Sequence, residues 1–136
     1  PTGQGKFGEV WKARVYGQQG EAMYVLKRLF VEKGHAVHLS GLREIHFGVK
    51  LRGVPQVCRF VESFEEHGVN GTNLWLVFFN EGLPLRHYLY EGTVQGNMVI
   101  YRPSKIWTDT RLSPSGPDTL RILMRQLLEG VGDCHK

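Results

Sequence analysis

Cysteine is scarce in this chain: Cys58 and Cys134 are the only two among 136 residues. That excludes a disulfide framework and fits a reducing interior, so the expected location is intracellular, in the cytoplasm. Long apolar runs are missing too. No stretch approaches the roughly 20 residues that span a bilayer, and no leader-peptide pattern is present, so no membrane segment is expected. The chain starts at Pro1 and not at methionine, which points to a natural N-terminus upstream. Charge bias is slight, with 17 Lys and Arg against 13 Asp and Glu, and the basic residues are scattered. No nucleic-acid-binding face is therefore expected. Cys134-His135 and the His35, His38 pair lack four-ligand spacing, and no metal site is assigned to them. What the chain does have is 41% hydrophobic residues, enough for the core of one ordinary domain.

Glycine is concentrated at one end. The run Gly3-Gln4-Gly5-Lys6-Phe7-Gly8-Glu9-Val10 spaces three of them as G-x-G-x-x-G. That spacing allows a tight turn whose backbone N–H groups meet phosphate oxygens, where a Cβ would obstruct. A dinucleotide-binding fold uses the same spacing, but there the motif follows a buried strand and opens a helix. Here nothing hydrophobic precedes Gly3, and residues 10–15 alternate as a strand does. A turn at Gly17-Gln18-Gln19-Gly20 and a returning strand over 22–30 complete an antiparallel hairpin, with Lys27 on its return side.

Residues 35–40 read as a loop, with Ser40 as the N-cap of a helix. Leu42, Ile45 and Val49 fall at i, i+3 and i+7 and define one apolar face. Glu44 sits beside that face, where a carboxylate could reach Lys27 and aim its ammonium at the phosphates. Taken alone, a helical glutamate is more often a solvated surface residue; the order of glycine run, lysine and glutamate argues otherwise. Residues 57–64 alternate, 65–72 are polar and glycine-bearing like a hairpin tip, and 74–79 form a continuous apolar strand expected to be buried on both faces. The break at 80–84 ends it. The expected fold is α+β: a five-stranded antiparallel sheet with one helix packed on it. Glu91 to Pro117 contains Pro103, Pro114 and Pro117 without sustained periodicity and reads as an insertion, Ser113-Pro114 as a turn. In the last segment Asp118 is the expected N-cap, and Leu120, Leu123, Met124, Leu127, Leu128 and Val131 repeat as a core-facing helical stripe.

On these residues the chain resembles the amino-terminal lobe of a eukaryotic protein kinase, continued into the first helices of the carboxy-terminal lobe. The resemblance covers essentially all 136 residues. It divides the chain into lobe and hinge at 1–82 and the start of the second lobe at 83–136, with an insertion at about 91–117. It implies that Gly3, Gly5, Gly8 and Val10 form the glycine-rich loop, with Lys6 and Phe7 at its tip. Lys27 would hold the α- and β-phosphates of ATP, and Glu44 would be the helix-C glutamate that pairs with it. Val25 would line the adenine slot, Phe78 would be the gatekeeper, and the backbone of Phe79, Asn80 and Glu81 would hydrogen-bond adenine. Residues 85–89 resemble the short helix after the hinge. Three positions depart from the family pattern: Thr2 and Val25 stand where an aliphatic residue and an alanine are usual, and Phe79 where an acidic residue is common. Arg102-Pro103-Ser104-Lys105 with Trp107 is similar to a small group of plant kinases.

The resemblance further implies ATP and Mg2+ as cofactors, a protein substrate, and transfer of the γ-phosphoryl to a serine or threonine hydroxyl. Lys27 and Glu44 would then be the catalytic residues present. Neither an H-R-D nor a D-F-G tripeptide occurs in the sequence. The polypeptide alone is therefore expected to be an inactive fragment of a longer kinase, with the Mg2+ ligands elsewhere. If the pair of residues 27 and 44 is buried, losing one partner would cost roughly 3–5 kcal/mol. The alternatives are a pseudokinase acting as a nucleotide-binding or scaffolding module, and an interaction module without nucleotide.

Overall fold

In the computed structural model, which describes residues 2–68 and 71–136, the first unit, Pro1–Glu81, is built on a five-stranded antiparallel sheet. Its strands are β1 (Gly3–Gln4), β2 (Gly8–Ala13), β3 (Tyr24–Leu29), β4 (Phe60–Gly68) and β5 (Gly71–Phe79), in the spatial order β1-β2-β3-β5-β4. The link from β2 to β3 is longer than the expected turn. Gly17 and Gly20 hold φ of 83° and 112° in it, a region that side chains with a Cβ avoid. The β4–β5 ladder runs out to Gly68 opposite Gly71, so most of the stretch expected as a polar tip is strand. Backbone pairing is indifferent to side-chain polarity, and polar residues suit a ladder exposed to water. Val69 and Asn70, part of the same expectation, lie outside the described residues.

Register decides what each face carries. Val25, Lys27 and Leu29 of β3 stand opposite Phe78, Leu76 and Leu74 of β5 and share one face with them. Helix α1 (His35–Lys50) covers that face, and Leu29, Val37, Phe60, Leu74 and Leu76 form the core beneath it. The apolar strand β5 is not buried uniformly: Leu74, Leu76 and Val77 are buried, whereas Trp75, Phe78 and Phe79 are half-buried.

The helix begins earlier than its sequence suggests. Ser40 lies inside it; the N-cap position is Gly34, whose φ of 127° turns the chain out of a 3-10 turn (Val31–Lys33). The face that packs is also different. Leu42 and Val49 are 45% and 50% exposed, while Val37 and Gly41 are buried. Hydropathy gives no weight to glycine, yet a glycine is what lets the helix come close.

On the opposite face of the sheet sits a polar network. Arg28 donates to Glu9 Oε1 at 2.9 Å and to Asn73 Oδ1 at 2.7 Å. Glu66 accepts from the Trp75 indole N–H at 2.9 Å and from Asn73 Nδ2 at 3.2 Å. Trp75 stacks on Phe64 with ring centroids 6.1 Å apart. The indole N–H, then the Asn73 amide, hold the Glu66 carboxyl below its ordinary 4.5. A carboxyl depressed on folding stabilises the fold above its unfolded value, and the contribution is lost as pH falls through the lower folded value. We therefore expect urea stability to decline as pH falls below the ordinary carboxylate range, and Glu66→Gln to flatten that decline. Trp75 fluorescence is the readout; equal pH profiles for both proteins would remove Glu66 from the acid response.

The second unit, Gly82–Lys136, contains α2 (Leu85–Leu89), the hairpin β6 (Tyr90–Gln95) and β7 (Met98–Pro103), α3 (Lys105–Leu112) and α4 (Gly116–Cys134). The segment 91–117 is thus mostly regular structure. Thr93 and Val94 pair with Ile100 and Val99, and Gly96 supplies the positive φ, 60°, that a two-residue hairpin turn needs at its first position. Ser104 is the buried polar pin of this unit, 1% exposed. Its hydroxyl donates to the Tyr88 carbonyl and accepts from Trp107 N–H at the start of α3. Helix α4 starts two residues before Asp118, which lies in its first turn and pairs with Arg121; Pro117 stands at the first turn, where its missing N–H has no helical partner to lose. The stripe on α4 is only partly covered: Leu120 and Leu123 are half-buried, but Leu127, Leu128 and Val131 are exposed. No helix among the described residues is long and apolar enough to cross a membrane. Ser104→Ala removes a cap and strands the Tyr88 carbonyl, so we expect a loss of about 1–3 kcal/mol. Chemical denaturation followed by circular dichroism checks this; a change below about 0.5 kcal/mol would mean the pin is not needed.

Candidate functional site

Lys27 lies mid-strand in β3, with Val10 of β2 and Leu76 of β5 as its cross-strand neighbours. The period of two points it at α1, over a floor that includes the fully buried Leu76. Glu44, on the sheet-facing side of α1, meets it there. The ammonium donates to Oε1 at 2.7 Å and to Oε2 at 2.8 Å. Both side chains keep about a third of their surface in water, 34% and 35%. The pair is therefore half-buried, and the expectation of a large loss on breaking it does not apply. Its charge remains available to something approaching from outside.

That approach is roofed by the glycine run. Gly3 pairs with Val10 and Gln4 with Glu9, and Gly5 N–H donates to Gly8 O at 2.8 Å, closing the tip. The tip is tied down by Phe30 N–H to Phe7 O at 3.0 Å and by the Lys33 ammonium to Lys6 O at 3.0 Å. Phe7 itself is 56% exposed. The three glycines have different reasons. At Gly8 a Cβ would stand 2.3 Å from the Arg28 carbonyl oxygen, so the sheet itself requires glycine. At Gly3 nothing lies within 4 Å of a Cβ, and at Gly5 only Gly8 O at 3.9 Å. Neither has the positive φ that favours glycine. The fold does not explain Gly3 and Gly5.

Beneath the loop lies a cavity of about 630 Å³. Gly3, Gly5, Lys6, Phe7 and Gly8 roof it, Val10 and Lys27 line it from the sheet, and Glu44 lines it from α1. Ala36, Val37 and Ser40 of α1 line it too, and sequence reasoning missed them. A loop was expected at 35–40; the signal for the true helix start was Gly34, followed by a helical turn that brings Val37 and Gly41 onto one face.

The remaining expected residues stand outside this cavity. Val25 and Phe78 face each other across β3 and β5, on the face that carries Lys27. The Phe79 ring turns to the other face, 5.4 Å from the Tyr24 ring, with the Arg59 guanidinium 4.4 Å from its centroid. Asn80 donates its backbone N–H to Met23 O and its side-chain amide to Ala22 O, both at 2.8 Å. Glu81 accepts from Arg59 Nε at 2.7 Å, and this contact holds its carboxyl below the usual range. The side chains of Phe79, Asn80 and Glu81 thus serve the fold, and so do the N–H groups of Phe79 and Asn80, which donate to Arg59 O at 2.9 Å and Met23 O at 2.8 Å.

A divalent cation finds no oxygen set here. Among the described residues Glu44 is the one carboxylate lining the cavity, and both its oxygens are engaged by Lys27. Mg2+ is therefore not assigned to these residues.

Comparison with known proteins gives one informative likeness. The chain is 30% identical, over 144 aligned positions, to a probable inactive protein kinase of Arabidopsis thaliana. The alignment covers 77% of this chain and 38% of that protein, so the chain spans well under half the length of this curated relative. No family model matches the sequence. No solved structure matches either. The chain is kinase-like in sequence, and its sheet and helix are compatible with a kinase amino-terminal lobe.

Because the pair is half-buried, Lys27→Met should cost only about 1 kcal/mol of folding stability. Thermal or urea unfolding measures it; a loss above roughly 3 kcal/mol would put the pair with fully buried ones.

Proposed function

We propose that this chain is the nucleotide-binding part of a kinase-like protein and that the cavity under the glycine run takes the phosphates of ATP. One observation carries this reading: Gly3 and Gly5 leave open space in the lining of the cavity that the part-exposed Lys27 also lines, and neither backbone conformation nor packing calls for glycine there. Phosphate oxygens close to main-chain N–H groups use that space, and no side chain could share it. Lys27 supplies the positive charge, and Glu44 fixes its position. The adenine ring then lies toward Val10, Val25 and Phe78, against the main chain of residues 79–81.

For the full-length protein, the kinase resemblance supports transfer of the γ-phosphoryl to a serine or threonine hydroxyl of a protein. A second reading is a pseudokinase that binds nucleotide or scaffolds a partner without transfer. The description of the Arabidopsis relative as probably inactive favours it.

Acylation of Lys27 by an amine-reactive probe, read by mass spectrometry, tests the binding step. ATP should protect Lys27 strongly and adenosine weakly, because the phosphates are what the ammonium meets. Equal labelling with and without millimolar ATP would defeat the proposal. Incubating the full-length protein with ATP labelled at the γ-phosphoryl separates the two readings: label on a protein hydroxyl supports transfer, and protection without label supports the pseudokinase.

A further inference from the structure

We infer that Gly48 and Gly41 are positioning residues: their missing side chains set how deeply α1 sits on the sheet, and that depth lets Glu44 reach Lys27. The three residues fall at i, i+3 and i+7 and so lie on one helix face. At Gly48 a Cβ would stand 2.6 Å from Phe60 Cγ and 2.9 Å from Phe60 Cβ. At Gly41 it would stand 2.6 Å from Leu29 Cδ1 and 2.7 Å from Leu74 Cδ2. The helix thus touches the sheet through its own backbone on both sides of Glu44. The functional importance of that contact rests on the nucleotide-binding reading above; the geometric part does not.

The size of the effect follows from the overlap. Non-bonded carbons settle at about 3.5–4.0 Å, so a methyl at position 48 asks for about 1 Å of separation. The clash is with the root of the Phe60 side chain and not its tip. Phe60 Cβ belongs to β4, whose backbone pairs with β5 at Phe78, and the Phe60 ring meets the Phe78 ring edge-on at 5.4 Å. Rotating the ring leaves Cβ in place, so the helix is the partner that gives way. A shift of about 1 Å would stretch contacts of 2.7 and 2.8 Å beyond hydrogen-bonding range. At position 41 the opposing atoms are leucine ends, which can yield partly, so the displacement there is smaller.

Helix propensity predicts the reverse sign, since alanine in place of glycine stabilises an unobstructed helix. Gly132 of α4, with nothing within 4 Å of its Cβ position, is the matched control. The experiment compares wild type, Gly48→Ala, Gly41→Ala, Gly132→Ala and Glu44→Gln. Each is first checked by circular dichroism for a cooperative fold, then assayed for the rate of Lys27 acylation without nucleotide and for protection by ATP. Glu44→Gln releases Lys27 directly and should raise the rate about five-fold. Gly48→Ala should approach that rise, Gly41→Ala should show a smaller one, and Gly132→Ala should match wild type. Gly48→Ala that folds with a wild-type acylation rate would overturn the inference, since the ring and not the helix would have moved. Failure of both Gly48→Ala and Gly41→Ala to fold would also overturn it, making them packing residues only. Absence of ATP protection in wild type would strike the nucleotide reading alone, because the acylation rates still report on the pair.

Discussion

An ammonium in the middle of a central strand is the constraint around which the first unit is arranged. Lys27 points into the space between sheet and helix, where its neighbours in register are Val10 and the buried Leu76. Left unpaired there, the charge would lose much of its hydration and gain nothing for it. Glu44 removes that penalty, yet the pair keeps about a third of its surface in water. The site is thereby tuned between two extremes. A fully buried pair would be closed to any ligand, and a fully exposed one would hold no fixed geometry.

Alternation along β3 gives two adjacent cations opposite tasks. Lys27 faces the cavity, whereas Arg28 lies on the opposite face of the sheet and bonds Glu9 and Asn73. The outward network joins β2, β3 and β5, and Asn73 extends it to Glu66 of β4. Four strands are thus cross-linked on the face that carries no helix. That stiffens the platform from which Lys27 projects, because a strand that cannot twist independently holds its other face still as well.

Much of this was legible in the residues. Lys27 and Glu44 could be paired on paper because the order of glycine run, strand lysine and helical glutamate resembles the protein-kinase pattern. Four of the five strands followed from alternation and turn glycines; β1 lies in the glycine run. The start of α1 did not, because Gly34 acts through its backbone angle and offers no side chain to recognise as a cap. Nor did the packing face of α1, since Gly41 and Gly48 score as gaps in an apolar pattern although they make its closest approaches. Prolines drew attention away from the hairpin at 90–103: Pro103 sits at its last residue, where a missing N–H costs little, and Thr93, Val94, Val99 and Ile100 carry ordinary strand character. Ser104 escaped notice because a serine's burial depends on partners far away in the chain, here Tyr88.

The contrast within the glycine run has a consequence for natural variation. An alanine at Gly8 collides with the main chain of β3, so it should disappear from any population of sequences selected merely for solubility and abundance. An alanine at Gly3 meets empty space and would persist in such a population unnoticed. Only selection acting on what occupies that space could keep position 3 as glycine, so tolerance at that one codon distinguishes a working pocket from an inherited shape.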